Sequence, residues 1–415
     1  MQVLTSLSAS PKGTTPRKLQ GRPDASLVRT SPPEPLNGTP QAKRLSFPGI
    51  GEGKSVNPTP GDAIVSRVPV LSANGIPLMP CNPAKARKLL ESGKAVKKWS
   101  KLGIFYIQLK FNPSKPSYQP LAIGVDPGSK FEGFSVVGTE DTVLNIMSEA
   151  VDWVKKTLEQ RRQMRRARRY RKTRMRECRS DNRLRNRDFL PPSTKARWDA
   201  KLRILAQLEK ILPVSHVVVE DIKARTTKGS RAWNKSFSPI ETGKQYFYTE
   251  LKKQGFDFTV KRGSDTQMLR KSFGLKKVKS KSKPTFETHC VDAWVLAASQ
   301  TRASHPTTKS LYYLVPLRWH RRQLHRLEPD KRGIRRRYGG TMSLGLKKGT
   351  LVRHIKYGLC YTGGNLRYRF SLHSLKDGKR LTQNAKRKDF NILTRVAFRT
   401  QFLTTVNGVG FLGVI

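Results

Sequence analysis

The chain has 415 residues, enough to bury one sizeable core and to carry one or two small appended modules. Lys and Arg number 82 against 29 Asp and Glu, a formal charge of +53 that repels itself in a compact fold unless a polyanion neutralises it. Nucleic acid is the partner this implies; no transmembrane run or lipidation motif supports a membrane instead. The four cysteines, Cys81, Cys178, Cys290 and Cys360, form no C-x-x-C pair. That pattern argues against a disulfide framework and a structural zinc site, and places the chain in a reduced, cytoplasmic setting.

Residues 1–67 are rich in Ser, Thr, Pro and Gly, with scattered basic residues and no periodicity, so they are expected to be disordered. The stretch reads as a solvated or RNA-contacting tail. An organellar transit peptide is the alternative, but frequent prolines leave no amphipathic helix for it. Order is predicted to begin at Val68-Pro69-Val70-Leu71. After Asn74-Gly75-Ile76-Pro77-Leu78-Met79-Pro80-Cys81 come a basic helix from Pro83 to about Gly93 and a strand at residues 105–109. This unit is too short for a large core of its own.

From Leu121 the pattern changes. Residues 121–125, 133–137 and 143–147 are predicted as three successive strands joined by Gly-rich or polar turns. A helix follows from about Asp152 into an Arg-dense tract. Beyond Pro191-Pro192, Trp198, Leu202, Leu205, Leu208 and Leu212 recur on one stripe of a helix that Pro213 ends. Residues 216–219 form a fourth buried strand, closed by Glu220-Asp221. Residues 246–253 are predicted helical, 256–260 extended, 276–284 a Lys/Ser loop and 288–299 a helix with an apolar face. Three strands, helix, strand, helix, strand, helix is the order of a ribonuclease-H-like α/β domain, a mixed sheet covered by helices. After about Arg302 the chain turns basic again. Short strands at 350–355, 358–361 and 368–372 predict a small β-rich, barrel-like module. The apolar residues at the end have no predicted place.

Four groups of the central region point to chemistry. Asp126 ends the first strand, Glu220 ends the fourth, and His289 and Asp292 ride on the last helix. In a ribonuclease-H-like sheet the first and fourth strands are neighbours, so Asp126 and Glu220 would lie side by side with Asp292 across the strand end. Three crowded carboxylates repel one another unless divalent cations sit between them. Two Mg2+ ions, with Mn2+ as a substitute, are the usual solution for phosphodiester hydrolysis. His289, one helical turn before Asp292, is a candidate general base or water-orienting group. Each residue also has an ordinary role: Asp126 as a turn cap, Glu220 as a strand-end salt bridge, His289 as a satisfied core histidine. Asp221 competes with Glu220 for the ligand position. The joint placement on successive elements favours the site.

The tract 161–187 holds 14 basic residues against Glu177 and Asp181. A charge run is usually one solvated face, but this one is basic all round. Such a helix repels itself alone and is stabilised when phosphates surround it. Arg adds bidentate phosphate contacts that Lys does not make. No heptad follows, which argues against a zipper-linked basic region.

On these residues the chain resembles the transposon-encoded IscB group of RNA-guided nucleases, over roughly residues 68–400. Pro77-Leu78-Met79-Pro80 is similar to the motif that names that group's N-terminal domain. Ile123-Gly124-Val125-Asp126-Pro127-Gly128, Val217-Val218-Val219-Glu220 and His289-Cys290-Val291-Asp292-Ala293 resemble its three RuvC segments. Arg165-Arg166-Ala167-Arg168-Arg169 resembles its bridge-helix signature. The resemblance implies that Asp126, Glu220 and Asp292 are metal ligands and that His289 is the catalytic histidine. It implies that a bridge helix bearing Arg161, Arg162, Arg165, Arg166, Arg168, Arg169, Arg171, Lys172, Arg174 and Arg176 binds a guide RNA of the omega type and its heteroduplex with target DNA.

The implied organisation is a tail at 1–67, the N-terminal domain at 68–115, the first RuvC segment at 116–150, the bridge helix at 151–192, the second and third RuvC segments at 193–310, and a basic β-rich domain reading a target-adjacent motif at 311–415. Guide pairing would read sequence while the protein reads backbone and that motif. No protein partner is implied, only a monomer in a ribonucleoprotein. IscB proteins carry an HNH nuclease between the second and third RuvC segments, yet residues 221–288 contain neither His nor Cys. The chain therefore resembles the IsrB subgroup, which lacks HNH and would nick only the displaced, non-target strand. Two rival expectations are a catalytically silent RNA- and DNA-binding protein of a mobile element and an unguided junction resolvase of the same fold.

Overall fold

A computed structural model of the chain describes residues 67–169, 190–221, 239–278, 284–317, 329–330, 333–334, 342–366, 368–395 and 398–404. The tail expected at 1–67, Arg67 apart, and the Arg-tract positions from 170 to 187, Arg171, Lys172, Arg174 and Arg176 among them, lie outside the described residues.

The first elements are β1 (Val68–Leu71), β2 (Pro77–Cys81), α1 (Pro83–Glu91), β3 (Ala95–Trp99) and β4 (Phe105–Leu109). They form a sheet in the order β2-β1-β4-β3. Asn82 caps α1 by accepting from Lys85 N at 2.8 Å, with Pro83 pre-set for the first turn. The unit closes a small core of its own, with Val68, Val70, Leu78, Ala86, Ala95 and Ile107 buried together. Leu102 and Ile104, in the turn between β3 and β4, are fully buried in the main core.

That core surrounds a seven-stranded sheet. Its members are β5 (Ala122–Asp126), β6 (Phe131–Val137), β7 (Thr142–Glu149), β8 (His216–Asp221), β9 (Phe258–Arg262), β10 (Leu311–Pro316) and, far along the chain, Phe398–Leu403. The helices are α2 (Trp153–Arg169), α3 (Pro192–Glu209), α4 (Pro239–Lys253), α5 (Gly263–Ser272) and α6 (Val291–Ala298), with a π-helical turn at Phe286–Cys290 leading into the last. β5, β6 and β7 form an antiparallel meander, and β8 and β9 add parallel strands on the β5 side. The order β7-β6-β5-β8-β9 is the ribonuclease-H-like arrangement that the element order predicts.

Strand alternation sends β5 side chains to two different layers. Ile123 and Val125, with Val217 and Val219, meet Trp198, Leu202, Leu205 and Leu208 of α3 and Phe247 and Leu251 of α4. On the other face Ala122, Val137 and Met147 meet Val291, Trp294, Val295 and Ala298 of α6. Each large side chain sealed this way contributes roughly 1.5–3 kcal/mol.

Between β10 and the final strand lie two short ribbons, β11 (Pro329–Asp330) with β12 (Gly333–Ile334) and β13 (Met342–Ser343) with β14 (Leu346–Lys347). A five-stranded antiparallel sheet follows: β15 (Thr350–His354), β16 (Gly358–Leu366), β17 (Arg369–Ser374), β18 (Arg380–Ala385) and β19 (Phe390–Arg395). Its core is Val352, Cys360, Phe370, Leu372 and Phe390. Then β20 (Phe398–Leu403) returns to pair with β10 along its whole length. The C-terminal sheet is thus an insertion between two strands of the central sheet rather than an appended tail module. β10 and β20 were not foreseen, because their apolar runs are short and lie between basic or polar segments.

Candidate active site and nucleic-acid interface

The strand ends decide which carboxylates meet. β5 and β8 run parallel with Val125 opposite Val219, which places Asp126 and Glu220 at one end of the sheet. Asp126, Gly124 and Ala122 share the face covered by α6, and Val218 and Glu220 share it too, since Val217 and Val219 point the other way. Asp221 therefore points to the α4 layer, where Lys244 Nζ donates to it at 2.6 Å. Strand alternation puts Glu220, not Asp221, beside Asp126.

Asp292 reaches the same place because α6 lies unusually close to the sheet. A Cβ on Gly124 would sit 1.8 Å from the Ala293 carbonyl oxygen, and one on Gly133 would sit 1.9 Å from that of His289. Only glycine permits this approach. Gly133 is the β6 partner of Asp126, so the turn carrying His289 and the start of α6 are pressed onto the strand end that carries the acid. A glycine inside a buried strand is the sequence signal for such a contact.

Two cations that sequence reasoning missed complete the cluster. Lys277 Nζ lies 3.3 Å from Asp126 Oδ2 and also donates to Asp292 Oδ2, while Arg270 Nη1 of α5 donates to Asp292 Oδ1. Burial opposes the Lys277 charge, and the carboxylates of Asp126 and Asp292 more than offset it, raising its pKa. Glu220 is pushed up to about 8, first by burial, then by the Asp126 carboxylate beside it and by a hydrogen bond between the two, with Asp292 adding to the effect. Lys277 falls in a Lys/Ser stretch and Arg270 on a helix, α5, that was not predicted; neither position carries a pattern that singles it out.

Three carboxylates form a hard, all-oxygen donor set, and that chemistry fits Mg2+ or Mn2+. Their spacing is another matter. Among the described residues no three His, Cys, Asp or Glu side chains are placed to hold one ion, and Lys277 stands between two of the acids.

His289 is close by but not on a regular α-helix with Asp292, as the spacing predicts. A π-helical turn intervenes, begun by Thr285 and Thr288: Thr288 Oγ1 accepts from Thr285 N at 3.1 Å and donates to Thr285 O at 2.8 Å. These bonds satisfy the first turn in a way that helix periodicity does not anticipate. The His289 ring is buried against Phe131, with centroids 4.8 Å apart.

The Arg-dense tract begins as α2. Arg161, Arg162, Arg165 and Arg166 are exposed, and no residue from Trp153 to Ala167 is buried. Arg168 and Arg169 complete the helix. A helix without a buried face gains little from tertiary packing, and like charges one turn apart, such as Arg161 with Arg165 and Arg162 with Arg166, oppose it. Its described surface suits a polyanion.

Residues 68–235 match the family model described as RRXRR protein. The run Arg165-Arg166-Ala167-Arg168-Arg169 lies inside that match. The fold is similar to that of three solved structures. T. thermophilus RuvC in complex with Holliday junction substrate is 14% identical, with 43% of this chain and 90% of that chain covered and a TM-score of 0.24. A second Thermus thermophilus RuvC structure gives 14%, 43%, 90% and 0.23. The yeast mitochondrial Holliday junction resolvase Ydc2 gives 12% identity, 46% and 81% coverage, and 0.25. No curated protein matches the chain in sequence.

Proposed function

We propose that the protein is an RNA-guided, magnesium-dependent DNA endonuclease that nicks the non-target strand. The observation that carries this reading is the convergence of Asp126, Glu220 and Asp292, from three separate elements, at one sheet end. Held by carboxylates of this cluster, Mg2+ would supply charge neutralisation at the scissile phosphate and an acidified water. The chain's own groups do the rest. His289 is the candidate to accept a proton from the attacking water. The exposed arginines of α2 hold the guide and its heteroduplex by their phosphates, and the inserted C-terminal sheet reads the target-adjacent motif. With neither His nor Cys between the second and third acidic segments, one centre cuts one strand.

Purified full-length protein with the RNA that co-purifies with it, Mg2+ and supercoiled target tests this. Conversion to open circle that requires both RNA and metal is the expected result; no nicking across a library of flanking motifs overturns it. RNA-independent cutting of branched DNA would instead indicate a junction resolvase.

A second reading is a catalytically silent RNA- and DNA-binding protein of a mobile element. One observation favours it: Lys277 and Arg270 already pair Asp126 and Asp292. It predicts RNA binding without metal-dependent cleavage.

A further inference from the structure

We infer that Lys277 is a built-in counter-ion that takes the place of a divalent cation between Asp126 and Asp292. The inference rests on the reading of this acid cluster as a metal centre and concerns how many ions it holds.

The three carboxylates meet at two junctions. Asp126 neighbours Glu220 across the parallel strands β5 and β8, and it faces Asp292 across the gap between sheet and helix. Lys277 fills the second junction alone, one ammonium shared by carboxylates from different elements. Bridging two such carboxylates is the usual task of a divalent ion. The remaining oxygen of Asp292 is taken by Arg270, so both oxygens of this nearly sealed side chain, 5% exposed, are committed to cations. No described ion pair joins a Lys or Arg to Glu220.

This contact differs from an ordinary surface pair, which contributes little. Asp292 is buried, and a bare carboxylate there would be costly. Lys277 is 29% exposed, lies outside any helix or strand and reaches the acids on a flexible stem. Its ammonium can leave without unfolding anything. The chain accordingly holds one divalent cation readily, at Asp126 and Glu220. A second enters only when Lys277 gives way.

Mn2+ is the probe, with bound ions counted by electron paramagnetic resonance and calorimetry on the full-length protein and its variants. The wild type, Lys277→Arg and the neighbouring control Lys276→Ala bind one ion per chain tightly. Lys277→Ala binds a second, with affinity at that position raised by at least about tenfold through loss of one nearby positive charge. Lys277→Gln, which keeps most of the stem and drops the charge, gives the same gain and serves if the alanine variant melts early. Equal ion counts and affinities in the wild type, Lys277→Ala and Lys277→Gln overturn the inference while leaving the metal centre standing. No Mn2+ bound by any of these proteins overturns the metal-centre reading, and the counter-ion with it.

Discussion

Two carboxylate sites lie back to back on the central sheet. On the α3 face, Glu132 of β6 meets Lys201 at 2.5 Å; their side chains are 1% and 4% exposed, and the ammonium also sits over the Trp198 ring. On the α6 face, Asp126, Glu220 and Asp292 share Lys277 and Arg270, and both Asp126 and Lys277 keep a path to solvent. Burial raises the pKa of Glu132 as well as Glu220, so a perturbed acid does not separate the two. Balance and access do. One acid with one base, closed off, has nothing left to bind. Three acids with two bases, partly open, leave the Glu220 carboxyl without a basic partner among the described ion pairs and give it a route to solvent beside Asp126.

Asp126→Ala should break the open site outright, taking metal-dependent strand cleavage to background while RNA binding persists in a filter or gel-shift assay. If cleavage survives, the chemistry lies elsewhere. Glu132→Ala should cost about 3–5 kcal/mol of stability, because it strands the Lys201 ammonium in the core; denaturant unfolding reads this. The double change Glu132→Leu with Lys201→Met should recover most of the loss. A Glu132→Ala protein of normal stability that no longer cuts would show the sealed pair to be functional and erase the contrast.

Gly124→Ala lies between the two sites in effect. Its Cβ would meet the backbone at Ala293, so α6 must lift; overpacking of this kind costs about 1–3 kcal/mol, measured by thermal melting. Cleavage should fall further than stability alone explains, since Asp292 moves with the helix.

The smallest effect is one of pH. The folded chain keeps the Glu220 proton up to about pH 8, whereas the unfolded chain loses it near the ordinary value of 4.5. Between these limits the folded state binds more protons, so this residue makes metal-free stability fall as pH rises. Glu220→Gln should flatten that part of the stability–pH curve. An unchanged slope would mean that Glu220 is ionised in the folded protein.

Much of this was legible in the chain. Short apolar runs closed by turns gave the meander, and Trp198, Leu202, Leu205 and Leu208 gave α3. Asp126 and Glu220 were conspicuous as acids ending buried strands, and Asp292 as an acid on an apolar helix. The missed parts share a cause. β10 and β20 become strands by pairing with each other and, for β10, with β7, so neither needs a strong local pattern. Lys277 and Arg270 matter only because other elements bring acids to them, and the π-helical turn depends on two threonine side chains rather than on apolar period.

The sequence by itself determined the layers and the candidate acids, because hydrophobic period and turn residues act over a few positions. It also determined the need for a polyanion, because +53 is a sum that no folding changes. Tertiary structure decided the rest. Strand alternation chose Glu220 over Asp221, two glycines let α6 come close enough to deliver Asp292, and a lysine from an irregular segment settled between two of the three acids. Each of these depends on distances between residues far apart in the chain, which local pattern does not encode.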